Sequence, residues 1–174
     1  MMKKIGAVLL LAAVILSAGC ITAEPAEKTA QKGDTVSVYY TLFLDDGTMY
    51  ESNVGKTPLS FVVGSGQMIS GFDAAVEGMK AGESQTVRLS PAEAYGEITD
   101  DMIQTIPAEE LEAQVGKMVV SGDVLQVTIN TGSGYQRAYM KILEADAATV
   151  TYALTGSALA GEYLTFEITL ESIA

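Results

Sequence analysis

Leu164-Thr165-Phe166-Glu167-Ile168-Thr169-Leu170-Glu171 alternates apolar and polar residues without a break. Successive side chains of a strand point to opposite faces. Leu164, Phe166, Ile168 and Leu170 therefore share one face, and Thr165, Glu167, Thr169 and Glu171 share the other. That is an antiparallel strand with one face on a core and one in water. Further strands read from β-branched and aromatic runs: Thr35–Leu44, Thr48–Ser52 after an Asp45-Asp46-Gly47 turn, Leu59–Val63, Gln85–Ser90 stopped by Pro91, and Thr149–Leu154. Asp123–Asn130 and Tyr135–Leu143 flank Thr131-Gly132-Ser133-Gly134 and form a hairpin. The period changes at Ile69, Phe72, Val76 and Met79, which fall on one face of a helix ending at Ala81-Gly82. Ser70 is placed to cap it, with Asp73 three residues on. Thr99–Ala113 reads as helical turns around Pro107. The fold class is α+β: an antiparallel sheet on one amphipathic helix, interrupted by a separate helix-plus-hairpin unit.

The N-terminus is a different object. Met1-Met2-Lys3-Lys4, the apolar run Ile5–Leu16 and Ser17-Ala18-Gly19-Cys20 follow the order of an export signal, and the run is short for a membrane span. Cys20 is the only cysteine, so it has no disulfide partner within the chain. Leu16-Ser17-Ala18-Gly19-Cys20 resembles a lipoprotein lipobox, although Leu16 lies one place further out than usual. The resemblance implies cleavage before Cys20 and acylation there. Ile21–Lys32 is small and polar and reads as a flexible tether. The expected product is exported and held by lipid on the outer face of the cytoplasmic membrane, or on the outer membrane of a diderm host.

Losing Lys3 and Lys4 with the signal takes the net charge from −12 to −14. So acidic a surface repels phosphate backbones, which argues against nucleic-acid binding. It also lacks a basic patch for lipid headgroups, leaving the acyl chains as the membrane contact. With no histidine and one cysteine, zinc and nickel sites lack a ligand set, and Ser-His-Asp and Cys-His catalysis are excluded. No metal or cofactor is expected.

Six blocks in order resemble FKBP-type peptidyl-prolyl isomerases: Val38-Tyr39-Tyr40-Thr41, Asp46-Gly47-Thr48-Met49-Tyr50-Glu51-Ser52, Gly66-Gln67-Met68-Ile69-Ser70-Gly71-Phe72, Met79-Lys80-Ala81-Gly82-Glu83, Ser90-Pro91-Ala92-Glu93-Ala94-Tyr95-Gly96 and Leu164-Thr165-Phe166-Glu167-Ile168. The resemblance implies an antiparallel half-barrel wrapped on the helix. It implies a prolyl pocket of Tyr40, Tyr50, Glu51, Leu59, Met68, Ile69, Phe72, Tyr95 and Phe166. Phe72 would be its floor, and Tyr40, Tyr50 and Phe166 its walls. The Ile69 N–H and Tyr95 hydroxyl would bond substrate carbonyls. On periodicity alone Ile69, Phe72 and Phe166 would read as plain core; their joint order beside the three tyrosines points to a site.

Where the family has a short flap, residues 97–156 intervene and look like the insert-in-flap domain of the SlyD-type subfamily, which acts as a chaperone. Met102, Met118, Leu125, Ile129, Tyr135, Tyr139 and Met140 are its candidate client-binding residues, or else its small core; sequence leaves both readings open. The implied organisation is a signal at 1–19, a lipidated tether at 20–32, an isomerase domain at 33–96 and 157–174, and the insert. The chain departs from the family's pattern at Glu51 (usually Asp), at Leu59 (often Phe) and at Thr155-Gly156-Ser157-Ala158, where the subfamily often has Asn-His. The leading expectation is a monomeric isomerase and chaperone for unfolded or proline-containing exported polypeptides. The alternative on the same fold is a non-catalytic chaperone that holds such chains. A small-molecule-binding lipoprotein would leave the six blocks unexplained.

Overall fold

The computed structural model describes residues 28–132 and 134–174. The signal, Cys20 and most of the expected tether lie outside the described residues. The class is the α+β expected, with antiparallel pairing throughout the two sheets.

The first sheet is built on β1 (Thr35–Leu44) and β9 (Leu164–Ile173), paired along nearly their whole length. β4 (Ser84–Leu89) covers the other side of β9. Along the outer edge of β1 lie two short strands end to end: β3 (Leu59–Val62) on its first half and β2 (Met49–Ser52) on its second. Asn53 fills the break between them. Its Oδ1 accepts from Tyr40 N at 2.7 Å, its Nδ2 donates to Val38 O at 3.1 Å, and its own N–H donates to Tyr40 O at 3.2 Å. One side chain thus continues the ladder where the backbone turns away.

The alternation in β9 is realised: Leu164, Phe166, Ile168 and Leu170 are all buried, each contributing about 1.5–3 kcal/mol. They meet Val36, Val38 and Leu42 of β1 and Phe72 and Val76 of α1 (Ser70–Val76) in one core. Gly71 permits the close approach of α1, since a Cβ there would lie 2.5 Å from a methyl of Leu89.

The helix is shorter than its apolar period suggests. Ile69 is the N-cap, and the chain leaves the helix at Glu77. Ser70 does not cap; its hydroxyl donates to Glu93 O at 3.2 Å. Asp73 instead accepts from Gly64 N at 2.9 Å. Met79 is buried beyond the helix, where its C=O accepts from Ala30 N at 2.8 Å. Ala30 is fully buried, and Thr29 bridges Lys80. The folded body therefore includes Thr29 and Ala30, inside the segment read as tether.

Between β4 and β9 the chain leaves to build a second sheet with its own core. Its order is β5 (Ile103–Pro107), β8 (Thr149–Thr155), β7 (Tyr135–Ala145), β6 (Val124–Asn130). One face carries α2 (Ala108–Val115), with Leu111 buried against Ile142, Val150 and Tyr152. The helical reading of Thr99–Ala113 is corrected here. Asp100–Met102 is a single 3₁₀ turn, Ile103–Pro107 is a strand, and only then does α2 begin. β5 is an edge strand that pairs β8 from Ile103↔Ala153 to Pro107↔Thr149, an end position proline tolerates.

Candidate active site

A cavity of about 200 Å³ opens where β1, β2, β3, β9, α1 and the loop after β4 converge. Tyr40 and Leu42 reach it from one face of β1, Glu51 from β2, Leu59 from β3 and Phe166 from β9. Gln67, Met68 and Ile69 line it from the loop before α1, and Phe72 from the helix. Three rings make the inner wall. Phe72 and Phe166 meet edge to face at 5.2 Å, Tyr40 meets Phe72 edge to face at 5.8 Å, and Tyr40 tilts on Phe166 at 6.0 Å. Such offset contacts suit the quadrupole of aromatic rings.

Tyr95 closes the rim, and its position is set locally. The amide and hydroxyl of Ser90 both donate to the Glu93 carboxylate, at 3.0 and 2.6 Å. These two bonds hold the Glu93 carboxyl below the usual carboxylate range. Pro91 lies inside that turn, and its carbonyl accepts from Gly96 N at 2.8 Å.

Eight of the nine residues implied for the prolyl pocket thus line one cavity. Tyr50 does not. It is half exposed and lines a neighbouring cleft with Leu44, Val124, Tyr139 and Leu159. β2 is irregular here: Leu42 pairs Glu51 and Phe43 pairs Met49, so Tyr50 is the extra residue of a bulge, and in this structure it lines that cleft while Glu51 lines the cavity. Two lining residues were missed. Leu42 was legible, because it shares the period-two face of Val38 and Tyr40. Gln67 had no such signal; its Oε1 accepts from Val62 N at 3.0 Å and ties the loop to β3.

The candidate client residues of the second sheet divide. Leu125 and Met140 pack into its core. Met102, Ile129 and Tyr139 are half-buried. Met118 and Tyr135 are open, at 76% and 79% exposed.

Burial pushes the Tyr40 hydroxyl up to about 12, helped by the charge of Glu51 and a hydrogen bond to it. Tyr95 is raised by partial burial, then by the charges of Glu51 and Tyr50. Both therefore remain neutral donors at any physiological pH. A tyrosine raised above its free value of about 10 adds stability below that pH and loses it as pH rises toward the folded value. Peptide isomerisation is expected to be flat from about pH 6 to about pH 9, with stability falling only above about pH 10. An alkaline loss of activity in the folded protein below about pH 9 would remove the Tyr95 hydroxyl as the substrate donor.

An apolar, ring-lined cavity with neutral donors at its rim suits one reaction in particular. Rotation about an X-Pro bond needs no nucleophile and no metal. Its barrier is lost amide resonance, about 18–20 kcal/mol. The twisted amide has less charge separation than the planar one, so a dry pocket favours it, while donors hold the flanking carbonyls.

The family model for FKBP-type peptidyl-prolyl cis-trans isomerase matches residues 26–171. The chain belongs to the FKBP-type peptidyl-prolyl isomerase family. It is 30% identical to the probable FKBP-type 16 kDa peptidyl-prolyl cis-trans isomerase of Pseudomonas fluorescens, over 82% of this chain and 91% of that one. It is 29% identical to the short-type peptidyl-prolyl cis-trans isomerase of Methanocaldococcus jannaschii, over 82% and 93%. It is 27% identical to the FKBP-type isomerase SlyD of Vibrio cholerae, over 82% and 68%. This FKBP-type chain is a peptidyl-prolyl cis-trans isomerase.

Proposed function

We propose that the cavity between Tyr40, Phe72, Tyr95 and Phe166 takes the prolyl ring, and that the second sheet holds unfolded clients beside it. The chain then acts as isomerase and chaperone in one molecule. Phe72 forms the floor, Tyr40 and Phe166 the walls, and the Tyr95 hydroxyl donates to a substrate carbonyl. Glu51 acts indirectly, by accepting from Tyr40 and fixing that ring.

One observation carries the client role. Met118 and Val120, 76% and 56% exposed, flank a groove of about 660 Å³ that is also lined by Ala108, Ala113 and Ala145. Large apolar side chains left open together mark a binding surface, and methionine adapts to varied partners. Glu109 and Glu112 border the same groove, so its best clients combine apolar residues with a nearby Lys or Arg. Leu125 and Met140, being core, take no part. The test compares two assays: proline-limited refolding of one protein, and suppression of aggregation of a proline-free one. Activity in the first alone would leave an isomerase without a client surface.

The clients proposed are exported polypeptides, met by a monomer anchored through lipid at Cys20. X-Pro exchange otherwise takes tens to hundreds of seconds, long enough to limit folding after export. Cys20→Ser is expected to move the protein from the membrane to the soluble exported fraction, because stable anchoring needs two acyl signals and the acidic surface offers no alternative. Fractionation checks it. A processed serine variant that stays on the membrane would rule out the lipid anchor.

A further inference from the structure

Lys141 lies in the middle of β7, paired on one side with Val124 and on the other with Ala153. Only 9% of its side chain is exposed. Its Nζ leaves the second sheet and donates to Ala160 O at 2.6 Å and to a Glu162 carboxylate oxygen at 2.6 Å. Both acceptors belong to the segment that carries the chain back into β9. That segment is tied in turn to the outgoing one, since Gly161 N donates to Gly96 O at 2.8 Å, next to Tyr95.

Taking an ammonium out of water is costly, and a buried ion pair rarely adds stability over an apolar pair of the same volume. What it adds is direction: the charge is satisfied in one arrangement and stranded in others. Lys141 and Thr155 are the buried polar side chains among the described residues, and both bond this returning segment. The Thr155 hydroxyl donates to Ser157 O at 2.8 Å. Polar groups thus stand at the junction, while the cores on either side are apolar. Beside the junction lies a cleft of about 380 Å³. Tyr50 and Leu44 of the first sheet face Val124 and Tyr139 of the second across it, and Leu159 and Glu162 complete it.

We propose that Lys141 and Glu162 form a latch that fixes the second sheet beside the prolyl cavity. Lys141 is a positioning residue: it sets the distance between where a client is held and where its proline is turned. This rests on the client-holding role proposed above. A fixed span gives a bound client a high effective concentration at the cavity, and a loose one dilutes it. The cavity keeps its own supports, because Tyr95 is positioned by the Ser90–Glu93 turn and by the Gly96–Pro91 and Gly161–Gly96 bonds. Short peptides, which need no holding, do not depend on the latch.

The experiment uses the whole chain with Lys141→Met, which keeps the stem and removes the charge, and with Glu162→Gln, a milder loss that keeps the Ala160 bond. Three rates or affinities are read on each: isomerisation of a short prolyl peptide, proline-limited refolding of a protein, and binding of a reduced, carboxymethylated protein that cannot refold. Nitrogen-15 relaxation reports whether the two sheets tumble as one. The expected result is peptide kcat/KM and client affinity within about twofold of the parent, refolding activity down about tenfold for Lys141→Met and less for Glu162→Gln, and separate tumbling of the sheets. A folded variant with parental refolding activity overturns the latch. So does a parallel fall in peptide and protein activity, which would mark a merely structural role. If Lys141→Met does not fold, Glu162→Gln decides by the same readings. Failure of the client role shows separately, as a parent that does not bind the unfoldable protein, and it removes the latch's kinetic purpose with it.

Discussion

Phe72→Ala is expected to abolish most isomerisation of short prolyl peptides and to destabilise the fold by about 3–5 kcal/mol. The ring is 3% exposed and meets three others: Phe166 at 5.2 Å, Tyr40 at 5.8 Å and Phe61 at 5.9 Å. Each aromatic contact adds about 0.5–1.5 kcal/mol beyond the buried area. The same atoms make the cavity's inner surface, so removing them both enlarges the cavity and admits water. Since a domain of this kind has only about 5–15 kcal/mol in hand, stability must be measured beside activity. Two milder changes separate the effects. Phe72→Leu keeps an apolar floor and loses the quadrupole; Tyr95→Phe removes one hydroxyl and almost no volume. Each is expected to lower peptide kcat/KM by about tenfold or more, the scale of one lost transition-state contact; Tyr95→Phe keeps a denaturant midpoint close to the parent, and Phe72→Leu, which gives up the ring contacts, lowers it less than Phe72→Ala does. Parental activity in a folded Phe72→Leu, Tyr95→Phe double variant would move the site elsewhere.

The same residues show what the sequence could and could not disclose. β9 was legible because one face is core and one is water, the condition under which period two survives in the residues. The assembly of Tyr40, Phe72, Tyr95 and Phe166 was not legible from pattern, since Phe72 and Phe166 sit on apolar faces that read as core and Tyr95 lies in a loop that has no period. Only the order of the six blocks brought them together. Tyr50 shows the limit of that route: a residue carried over by resemblance lines the neighbouring cleft instead, from a bulged position of β2 whose side-chain direction no period could give. Ile103–Pro107 was misread because acidic residues and apolar spacing around Pro107 mimic helical turns. The strand exists through its pairing with β8, 46 residues away at Thr105 and Thr151. The early end of α1 has a similar cause. Met79 continues the helical spacing, but its burial comes from Ala30, in a segment that reads as tether. Lys141 gave no signal at all, because an isolated lysine in a strand reads as a solvated residue.

Replacing residues 97–156 by a short glycine-rich loop is expected to leave a folded half-barrel that still isomerises short peptides, while refolding of proline-limited proteins falls by about tenfold or more. The first half of this expectation follows from pairing. β4 and β9 are neighbours from Ser84↔Thr169 to Leu89↔Leu164, so the chain leaves and returns at one end of the same sheet. Gly161 N donates to Gly96 O at 2.8 Å, which holds the two ends of the excision together without the excised part. Closing a shorter loop there changes the entropy little, since the cost grows only as the logarithm of length. The cores also separate cleanly. Leu159 belongs to the first, and Ala108, Leu111, Val119, Ile142, Val150 and Tyr152 make up the second, so an excision ending at Gly156 takes one core and spares the other. Glu162 loses Lys141 but is already part exposed, so water replaces its partner at little cost. The second half follows from the surface removed, which includes Met118, Val120 and their groove. A protein client would then reach the cavity by collision alone, whereas a short peptide always did. If the trimmed protein refolds protein substrates as fast as its parent, the second sheet does not hold clients, and the exposed apolar residues on it serve something other than folding.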